Sequence, residues 1–402
     1  MAHLLFIGAG PFQMPVIEEA RARGCRISAI DGSAHAPGLA LADTSAIIDI
    51  RNVEACLALG HGLQPDGVLA VATEAGIPSA AAIAEALGLP GLSVDTARKA
   101  TNKQAMRDAF EAAGLPSARY RLCRRLDEAG AAFRELGPQV VVKPINGAGS
   151  RGVSLVTRLE DMVEAFETAR AAASSGQVLV ENFMAGPEVA LEGVMSTGRF
   201  IPLLVSDKTR SDPPALLDVS ITYPSLRPAI EIEAIHALAE AGARALGIEN
   251  APIHVEMIMT ADGPHLVEMA ARGAGFHVFN TIVPAVTGID TPALQVDLAL
   301  GIPTALPGTA SRAAILDFPL MAPGTVMAVE GLDEVRADPH VLFAECFVKP
   351  GDRVRPLKSG SDRAAAIAVA ADTAQDARAA LERARTTLRI ETVSEAARSE
   401  IA

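Results

Sequence analysis

Short apolar segments alternate with amphipathic segments through roughly the first quarter of the chain. The apolar segments have the length of buried strands, whereas the segments between them have the spacing of helices with one apolar face. This alternation predicts a parallel sheet with helices on both faces, which we place at residues 1–95. The predicted strands are 4–7, 26–30, 46–50 and 67–72, and the predicted helices are 14–23, 52–61 and 77–87.

A long helix is predicted over residues 95–113, ended by Gly114 and Pro116. Beyond it, short β-branched segments with turn residues between them predict many strands and few helices. The strands are predicted at 140–143, 153–156, 177–180, 189–195, 200–205, 254–257, 265–269, 326–329, 342–348 and 366–370, and the helices at 159–173 and 373–388.

Two acidic residues, Glu256 and Glu268, lie on consecutive predicted strands joined by a turn over residues 260–264. A hairpin would bring both carboxylates to neighbouring strands, where they repel one another unless a cation lies between them. Hard oxygen ligands favour Mg²⁺ or Mn²⁺, and Arg272 follows as a planar cation for phosphate or carboxylate oxygens. The same glutamates also suit the solvated face of an ordinary hairpin, so both interpretations stay open here.

A glycine-rich loop separates two β-branched strands, and Lys143 lies at the end of the first strand. Glycines let the backbone approach phosphate oxygens and present amide groups to them. No Gly-Lys-Ser/Thr opens a helix, so this is not a Walker A loop. The position of the lysine favours a loop that covers phosphates, and the alternative is a plain hairpin turn. The loop consists of Gly147, Ala148, Gly149, Ser150, Arg151 and Gly152.

Acidic and aromatic residues follow the predicted strand at 177–180. Backbone groups of Asn182 and Phe183 could bind the edge of adenine, the Phe183 ring could add apolar contact, and Glu188 could accept from ribose hydroxyls. Taken alone, this segment is ambiguous.

The first predicted strand runs into Gly8-Ala9-Gly10, which invites comparison with a dinucleotide-binding turn. Gln13 stands where the third glycine of that motif belongs, and that glycine normally allows helix and strand to pack closely. A tight strand-to-helix turn without a nucleotide is therefore favoured over the alternative, an NAD-dependent dehydrogenase or a nucleotide-sensing module.

Composition narrows the classes of partner. The net charge is −13, with no Trp and two Tyr, which argues against nucleic acid as a main partner. No apolar run approaches the length of a membrane span, so we do not expect the protein to bind or cross a membrane. The first ten residues lack a basic segment, so we do not expect a secretory signal. Four scattered cysteines without metal-ligand spacing predict reduced thiols and a cytoplasmic protein.

Taken in chain order, these segments resemble an ATP-grasp enzyme over about residues 1–390. The resemblance implies a mixed α/β and α+β fold with a Rossmann-like pre-ATP-grasp domain, a two-lobed ATP-grasp domain and a C-terminal lobe. We place these at residues 1–95, 96–303 (small lobe about 115–180) and 304–402. It also implies ATP and Mg²⁺ (or Mn²⁺) as cofactors, with ATP bound between two lobes.

The resemblance further implies roles for individual residues. Arg272 would face an acyl phosphate, and Lys143 would contact ATP and take part in catalysis. Metal ligands would be Glu256 and Glu268. The remaining predicted ATP contacts are Lys103, the loop residues Gly147, Gly149, Ser150, Arg151 and Gly152, the adenine-holding residues Glu181, Asn182 and Phe183, and the ribose-binding Glu188.

One position departs from many members of the family, since Ala270 stands where an asparagine often serves as a further metal ligand. The run from Glu268 to Gly275 instead resembles the bacterial L-amino-acid ligase (dipeptide synthetase) branch, as do residues 205–208 and 223–225. Candidate substrate contacts are Glu74, Asp207, Lys208, Gly275 and His277. Glu74 follows a sheet strand at its carboxyl end, where ligands bind, although it also suits a helix N-terminus, and His277 also suits a supporting role.

The resemblance implies that ATP phosphorylates a carboxylate, that an amine attacks the acyl phosphate, and that ADP and phosphate leave. Small-molecule substrates are expected, and a homodimer is common among such enzymes. The alternative within the family is a carboxylase that uses bicarbonate, of the biotin-carboxylase or purine-pathway type.

Overall fold

The computed structural model describes residues 1–147, 149–213, 216–304 and 311–394. The chain forms two compact units. The first unit comprises Met1–Ser117, Ala190–Val205 and Arg227–Thr309, and the second comprises Ala118–Val189, Ser206–Leu226 and Ala310–Ala402. Within the described ranges, no helix combines the length and apolar character needed to cross a bilayer.

The described strands are β1 (His3–Ile7), β2 (Arg26–Asp31), β3 (Thr44–Ile47), β4 (Gly67–Leu69), β5 (Tyr120–Cys123), β6 (Val140–Pro144), β7 (Ser154–Val156), β8 (Val178–Asn182), β9 (Glu188–Ser196), β10 (Arg199–Arg210), β11 (Asp218–Tyr223), β12 (Ala251–Thr260), β13 (Gly263–Ala270), β14 (Ala313–Asp317), β15 (Gly324–Glu330), β16 (Val341–Cys346), β17 (Arg353–Val354), β18 (Ala365–Ala371) and β19 (Arg389–Val393).

The described α-helices are α1 (Met14–Ala22), α2 (Val53–Leu63), α3 (Ile77–Leu87), α4 (Val94–Thr101), α5 (Lys103–Ala112), α6 (Leu126–Leu136), α7 (Met162–Ala172), α8 (Ala229–Leu246), α9 (Val283–Thr287), α10 (Thr291–Ala299), α11 (Leu332–Ala337) and α12 (Ala374–Thr387). A single π-helical turn, Val278–Ile282, precedes α9.

A four-stranded parallel sheet in the order β3-β2-β1-β4 opens the first unit. Apolar side chains of β1 and β2 are buried on both faces, against α1 and α10 on one side and α2 and α3 on the other. This sheet confirms the parallel arrangement predicted from the alternating strands and helices. The first unit also contains the antiparallel hairpin of β12 and β13, against which α8 packs.

The second unit contains an antiparallel sheet in the order β5-β8-β6-β7, with α6 and α7 packed on it around a core that includes Phe166. It also contains the antiparallel series β11-β14-β18-β16, covered by α12, and a small sheet in the order β17-β15-β19. Strands β9 and β10 contribute residues to both units. The mixed α/β and α+β architecture expected from the sequence is therefore present.

Several predicted elements differ from the structure. The single helix predicted over 95–113 is two helices, because Asn102 is extended (φ −125°, ψ 113°) and its side chain caps α5. The strand predicted at 177–180 continues to Asn182, because Glu181 pairs with both Tyr120 and Val141. Strand 46–50 is Thr44–Ile47, and the helix predicted from 159 begins as a 3-10 turn, Leu159–Asp161. The elements that were not predicted are strands β5, β11, β14, β17 and β19 and helices α6, α8, α9, α10 and α11. Short segments carry little periodic signal, which explains the missed strands but not the 18-residue α8.

The predicted domain boundaries at 95 and 303 stay predictions. Residues 305–310 and 395–402 of the predicted C-terminal lobe lie outside the described residues.

Candidate active site

Two acidic side chains face each other on the hairpin of the first unit. Glu256 pairs directly with Glu268 in the antiparallel register, so both side chains lie on the same face of the sheet. Each side chain is 25% exposed, and a bulge follows Glu256. Like charges opposite one another destabilise a sheet, so the pair favours a cation beside it.

The ammonium of Lys103, the first residue of α5, lies against this pair. Its Nζ donates to Glu268 Oε1 at 3.0 Å. Burial lowers the pKa of Lys103, but the carboxylates of Glu268, Glu74 and Glu256 outweigh that effect and raise the pKa. The lysine is therefore charged, and this cluster combines three carboxylates with one ammonium.

Glu74 and Arg272 meet beside the same cluster. Glu74 follows β4 at its carboxyl end, and its Oε2 lies 4.0 Å from Arg272 Nη2. Arg272 follows β13, and its Nη1 donates to the carbonyl of Gly273 at 3.0 Å. The Nε of Arg272 is buried and has no hydrogen-bond partner within the described ranges. A buried guanidinium with a donor to spare suits an anionic ligand.

The residues after Arg272 form a tight turn with an aromatic edge. Phe276 and His277 have positive φ angles of 47° and 62°, and both rings pack edge-on or tilted against Phe12. Gly273 cannot carry a side chain, because a Cβ there would lie 2.2 Å from the Phe279 ring. A small pocket is lined by Phe12, Ala72, Gly275, His277 and Asn280. The predicted substrate contacts Gly275 and His277 thus lie together.

A buried carboxylate that was not predicted from the sequence, Glu192 on β9, contacts the histidine next to Glu256. Its Oε1 is 2.5 Å from His254 Nδ1, and its Oε2 accepts from the Ala274 amide at 3.0 Å. His254 Nε2 lies 3.6 Å from Glu256 Oε1. Burial lowers the pKa of His254, but Glu192 and Glu256 raise it overall to about 9. An acid inside the apolar segment Glu188–Ser196 was the signal that could have revealed it.

In the second unit, Lys143 and Glu181 form a buried ion pair on neighbouring strands β6 and β8. Lys143 Nζ lies 2.6 Å from Glu181 Oε2, and both side chains are 5% exposed. The register sets Glu181 opposite Val141, so the lysine reaches it diagonally.

Glu188 lies in a second buried network of the same unit. Lys208 Nζ is 2.7 Å from Glu188 Oε1 and 3.1 Å from Asp218 Oδ2, while Arg210 Nη1 is 2.6 Å from Glu188 Oε2. Asp207 points elsewhere, because it accepts from the Ser225 hydroxyl and the Leu226 amide. Lys208, predicted to contact substrate, therefore contacts Glu188, the residue predicted to bind ribose. Asp207, also predicted to contact substrate, is not part of this network.

Several described residues of the glycine loop between β6 and β7 have a left-handed backbone conformation. Gly147, Gly149, Ser150 and Gly152 all have positive φ angles. Ala148 lies outside the described residues, and Arg151 is exposed. A Cβ at Gly152 would lie 2.8 Å from Ala172 Cβ, so glycine is required there on steric grounds as well.

The backbone amides of Asn182 and Phe183 donate hydrogen bonds to other residues of the chain. The Asn182 amide donates to the Arg119 carbonyl and the Phe183 amide to the Gln139 carbonyl, each at 3.0 Å. Asn182 Oδ1 also accepts from the Arg119 amide at 2.7 Å. Their predicted contacts with adenine stay a prediction.

The Gln13 side chain fills the space inside the turn that follows β1. Gln13 is buried and donates to the Val71 carbonyl, and a Cβ at Gly10 would lie 3.0 Å from Gln13 Oε1. The space that a dinucleotide-binding turn keeps open for close approach is therefore occupied by glutamine, which favours the interpretation of a plain strand-to-helix turn.

No group of three or more His, Cys, Asp or Glu arranged around a metal position occurs among the residues that the structure describes. Two carboxylates on one face still fit Mg²⁺, which commonly takes one or two protein carboxylates and completes its shell with substrate phosphates and water.

Two family models match the chain. The model for the ATP-grasp domain matches residues 136–280, and the model for the L-amino acid ligase C-terminal domain 2 matches residues 318–393. Alanine–anticapsin ligase of Bacillus subtilis (strain 168) is 30% identical over 240 residues, which are 53% of this chain and 50% of that protein. The chain thus spans half the length of this curated relative.

Solved structures of the same fold cover almost the whole chain. An L-amino acid ligase from Bacillus licheniformis has a TM-score of 0.82 at 23% identity, covering 98% of this chain and 99% of that one. Another such structure is the biotin carboxylase domain dimer of Hydrogenobacter thermophilus 2-oxoglutarate carboxylase, which was solved with MgADP, ADP and bicarbonate. Its TM-score is 0.73 at 19% identity, and the match covers 98% of this chain and 91% of that one.

The fold and the family matches together define the class: the chain has an ATP-grasp fold, and residues 136–280 match the ATP-grasp domain family. Within that family it resembles the L-amino-acid ligases, whose C-terminal domain it shares.

Proposed function

We propose that the protein is an ADP-forming ligase that joins a small carboxylic acid, such as an amino acid, to an amine through an acyl phosphate. The in-register pair of Glu256 and Glu268, with charged Lys103 against it, is the observation that carries the proposal. The similarity to alanine–anticapsin ligase and the shared C-terminal domain support this branch of the family.

Glu256 and Glu268 would hold Mg²⁺, which would offset the negative charge of the ATP phosphates. Lys103 would keep its charge beside them, because three carboxylates raise its pKa. Arg272 would stabilise the phosphate of the intermediate, and its Nε has no partner among the described residues. Glu74, next to Arg272, would receive the amine of a substrate.

The second unit would bind the nucleotide. Lys143 is held in place by Glu181 and would contact phosphate, and the backbone of the glycine loop would cover the phosphates. Glu188, with Lys208 and Arg210 against it, would accept from the ribose hydroxyls. Closure of the loop would exclude water, which otherwise hydrolyses an acyl phosphate.

The test is ADP release with Mg²⁺-ATP across a panel of amino acids, singly and in pairs, with bicarbonate as a separate condition. Release that requires two amino acids supports the proposal, and product mass identifies the bond formed. Release with bicarbonate alone would replace the proposal with a carboxylase, the alternative that the biotin carboxylase relative represents. A homodimer is also proposed on that relative's precedent, and sedimentation velocity would test it.

A further inference from the structure

Glu192 is a buried charge that the proposed roles do not use. It lies on β9, a strand buried along its whole length, and is 3% exposed. An isolated carboxylate in such a place is strongly unfavourable unless it is paired and hydrogen-bonded. The partners of this carboxylate therefore indicate what it is for.

Each oxygen of Glu192 has its own donor within the first unit. Oε2 accepts from the Ala274 amide at 3.0 Å, which fixes the carboxylate to the backbone. Oε1 lies 2.5 Å from His254 Nδ1, which fixes the orientation of the imidazole. With one oxygen held by the main chain, the other sets the position of the ring.

The far side of the imidazole faces the acidic pair. His254 and Glu256 are two residues apart on β12, so their side chains lie on one face, and Nε2 is 3.6 Å from Glu256 Oε1. The residue opposite His254 in the hairpin is Ala270, whose side chain is a single methyl group. The imidazole therefore reaches Glu256 without competition from a polar side chain at that position.

We propose that Glu192 is a positioning residue that acts through His254 to hold the Glu256 carboxylate in the orientation that binds the metal ion. The proposal rests on the proposed function of Glu256 and Glu268. Removal of a residue that orients a metal ligand from behind typically changes metal affinity or activity 10–100-fold.

The experiment measures Mn²⁺ affinity by electron paramagnetic resonance in the presence of a non-hydrolysable ATP analogue. The variants are Glu192→Gln, which keeps the volume but offers one acceptor in place of two, His254→Asn, and the double variant. Asp317→Asn is the matched control, because Asp317 is a fully buried carboxylate paired with Arg385 at 2.6 Å in the second unit. Urea unfolding of every variant measures stability separately.

We expect each single variant to raise the Mn²⁺ dissociation constant about 10-fold or more. The double variant should be no weaker than the weaker single one, because both residues act along one path. Asp317→Asn should lose stability and keep its Mn²⁺ affinity. His254→Asn leaves the bond between Glu192 and Ala274 intact, so it tests the proposal even if Glu192→Gln does not fold.

Native Mn²⁺ affinity in folded Glu192→Gln or His254→Asn would overturn the positioning role alone. If the unmodified protein binds no Mn²⁺ in the presence of the nucleotide, the proposed function fails, and the positioning role fails with it.

Discussion

At the scale of single residues, the two glutamates of the hairpin destabilise the free protein but would favour the binding of a cation. Glu256 and Glu268 face each other with like charge, and Lys103 offsets only part of it. Side chains that repel in the free protein and attract a cation are typical of a binding site rather than of a structural ion pair.

Glu268→Gln should reduce ADP formation at least about 100-fold, because the proposed metal ligand and the partner of Lys103 are both lost. Its free energy of unfolding should change little, since the repulsion with Glu256 is relieved at the same time. Steady-state ADP release and urea unfolding measure the two effects. Glu249→Gln, an exposed glutamate of the same unit, is the control and should keep full activity. Full activity in Glu268→Gln would contradict the metal site.

Lys143→Met should lower the free energy of unfolding by about 3–5 kcal/mol, because it leaves the buried Glu181 carboxylate without its lysine. Adding Glu181→Gln should recover most of this loss without recovering ATP affinity. Urea unfolding and calorimetric ATP titration of the single and double variants separate the stabilising role from the binding role. Equal ATP affinity in the unmodified protein and the double variant would show that Lys143 does not contact the nucleotide.

Cys123 should resist alkylation in the native protein, because burial raises its pKa to about 11 and the thiolate is the reactive form. Cys56 is also buried, whereas Cys25 and Cys346 are partly accessible. Iodoacetamide labelling at pH 8, read by mass spectrometry, should modify the partly accessible pair first. Early labelling of Cys123 would contradict its buried position.

At the scale of elements, the break between α4 and α5 positions Lys103. Asn102 ends α4 in an extended conformation, and its Oδ1 accepts from the Ala105 amide at 3.0 Å as the N-cap of α5. An uninterrupted helix would point Lys103 in a different direction. The cap at Asn102 therefore helps to determine where Lys103 lies relative to the acidic cluster.

Asn102→Ala should cost about 1 kcal/mol of stability through the lost cap and should also reduce ADP formation, because Lys103 is the next residue. Ser93→Ala is the matched control. Ser93 caps α4 through the Thr96 amide at 3.1 Å, outside the acidic cluster, and should lose similar stability with unchanged activity. Equal activity in the two variants would show that the break serves folding alone.

At the scale of the whole molecule, the proposed function requires a chain of net charge −13 to bind an anionic nucleotide, and local cations and a metal ion would overcome the unfavourable net charge. In the proposal, Lys103, Arg272 and Lys143 supply these cations.

ATP with Mg²⁺ should raise the melting temperature, since a ligand at about 100 times its dissociation constant adds about 2.7 kcal/mol of stability. EDTA should remove the part of the shift that depends on the metal. In Glu256→Gln the shift with ATP and Mg²⁺ should fall to that with ATP alone, as differential scanning fluorimetry would measure. An undiminished metal-dependent shift in that variant would contradict the assignment of Glu256 as a ligand.

Local patterns were enough to predict much of the fold. Alternating strands and helices predicted the parallel sheet of the first unit, and the segments around residues 260–264 predicted the hairpin that pairs Glu256 with Glu268. Residues within a hairpin are close in sequence, so turn length and side-chain alternation constrain their register. The break at Asn102 was missed because helical spacing continues across it.

The sequence by itself determined the alternating strands and helices of the first sheet, the hairpin and the position of the glycine-rich loop, because each depends on neighbouring residues. Only the tertiary structure decided which charges meet: Lys103 with Glu268, Arg272 with Glu74, Lys208 with Glu188, and Glu192 with His254. These partners lie on different elements, and contacts between distant segments depend on how sheets and helices pack. Periodicity and spacing describe one element at a time, so they contain no information about such pairs.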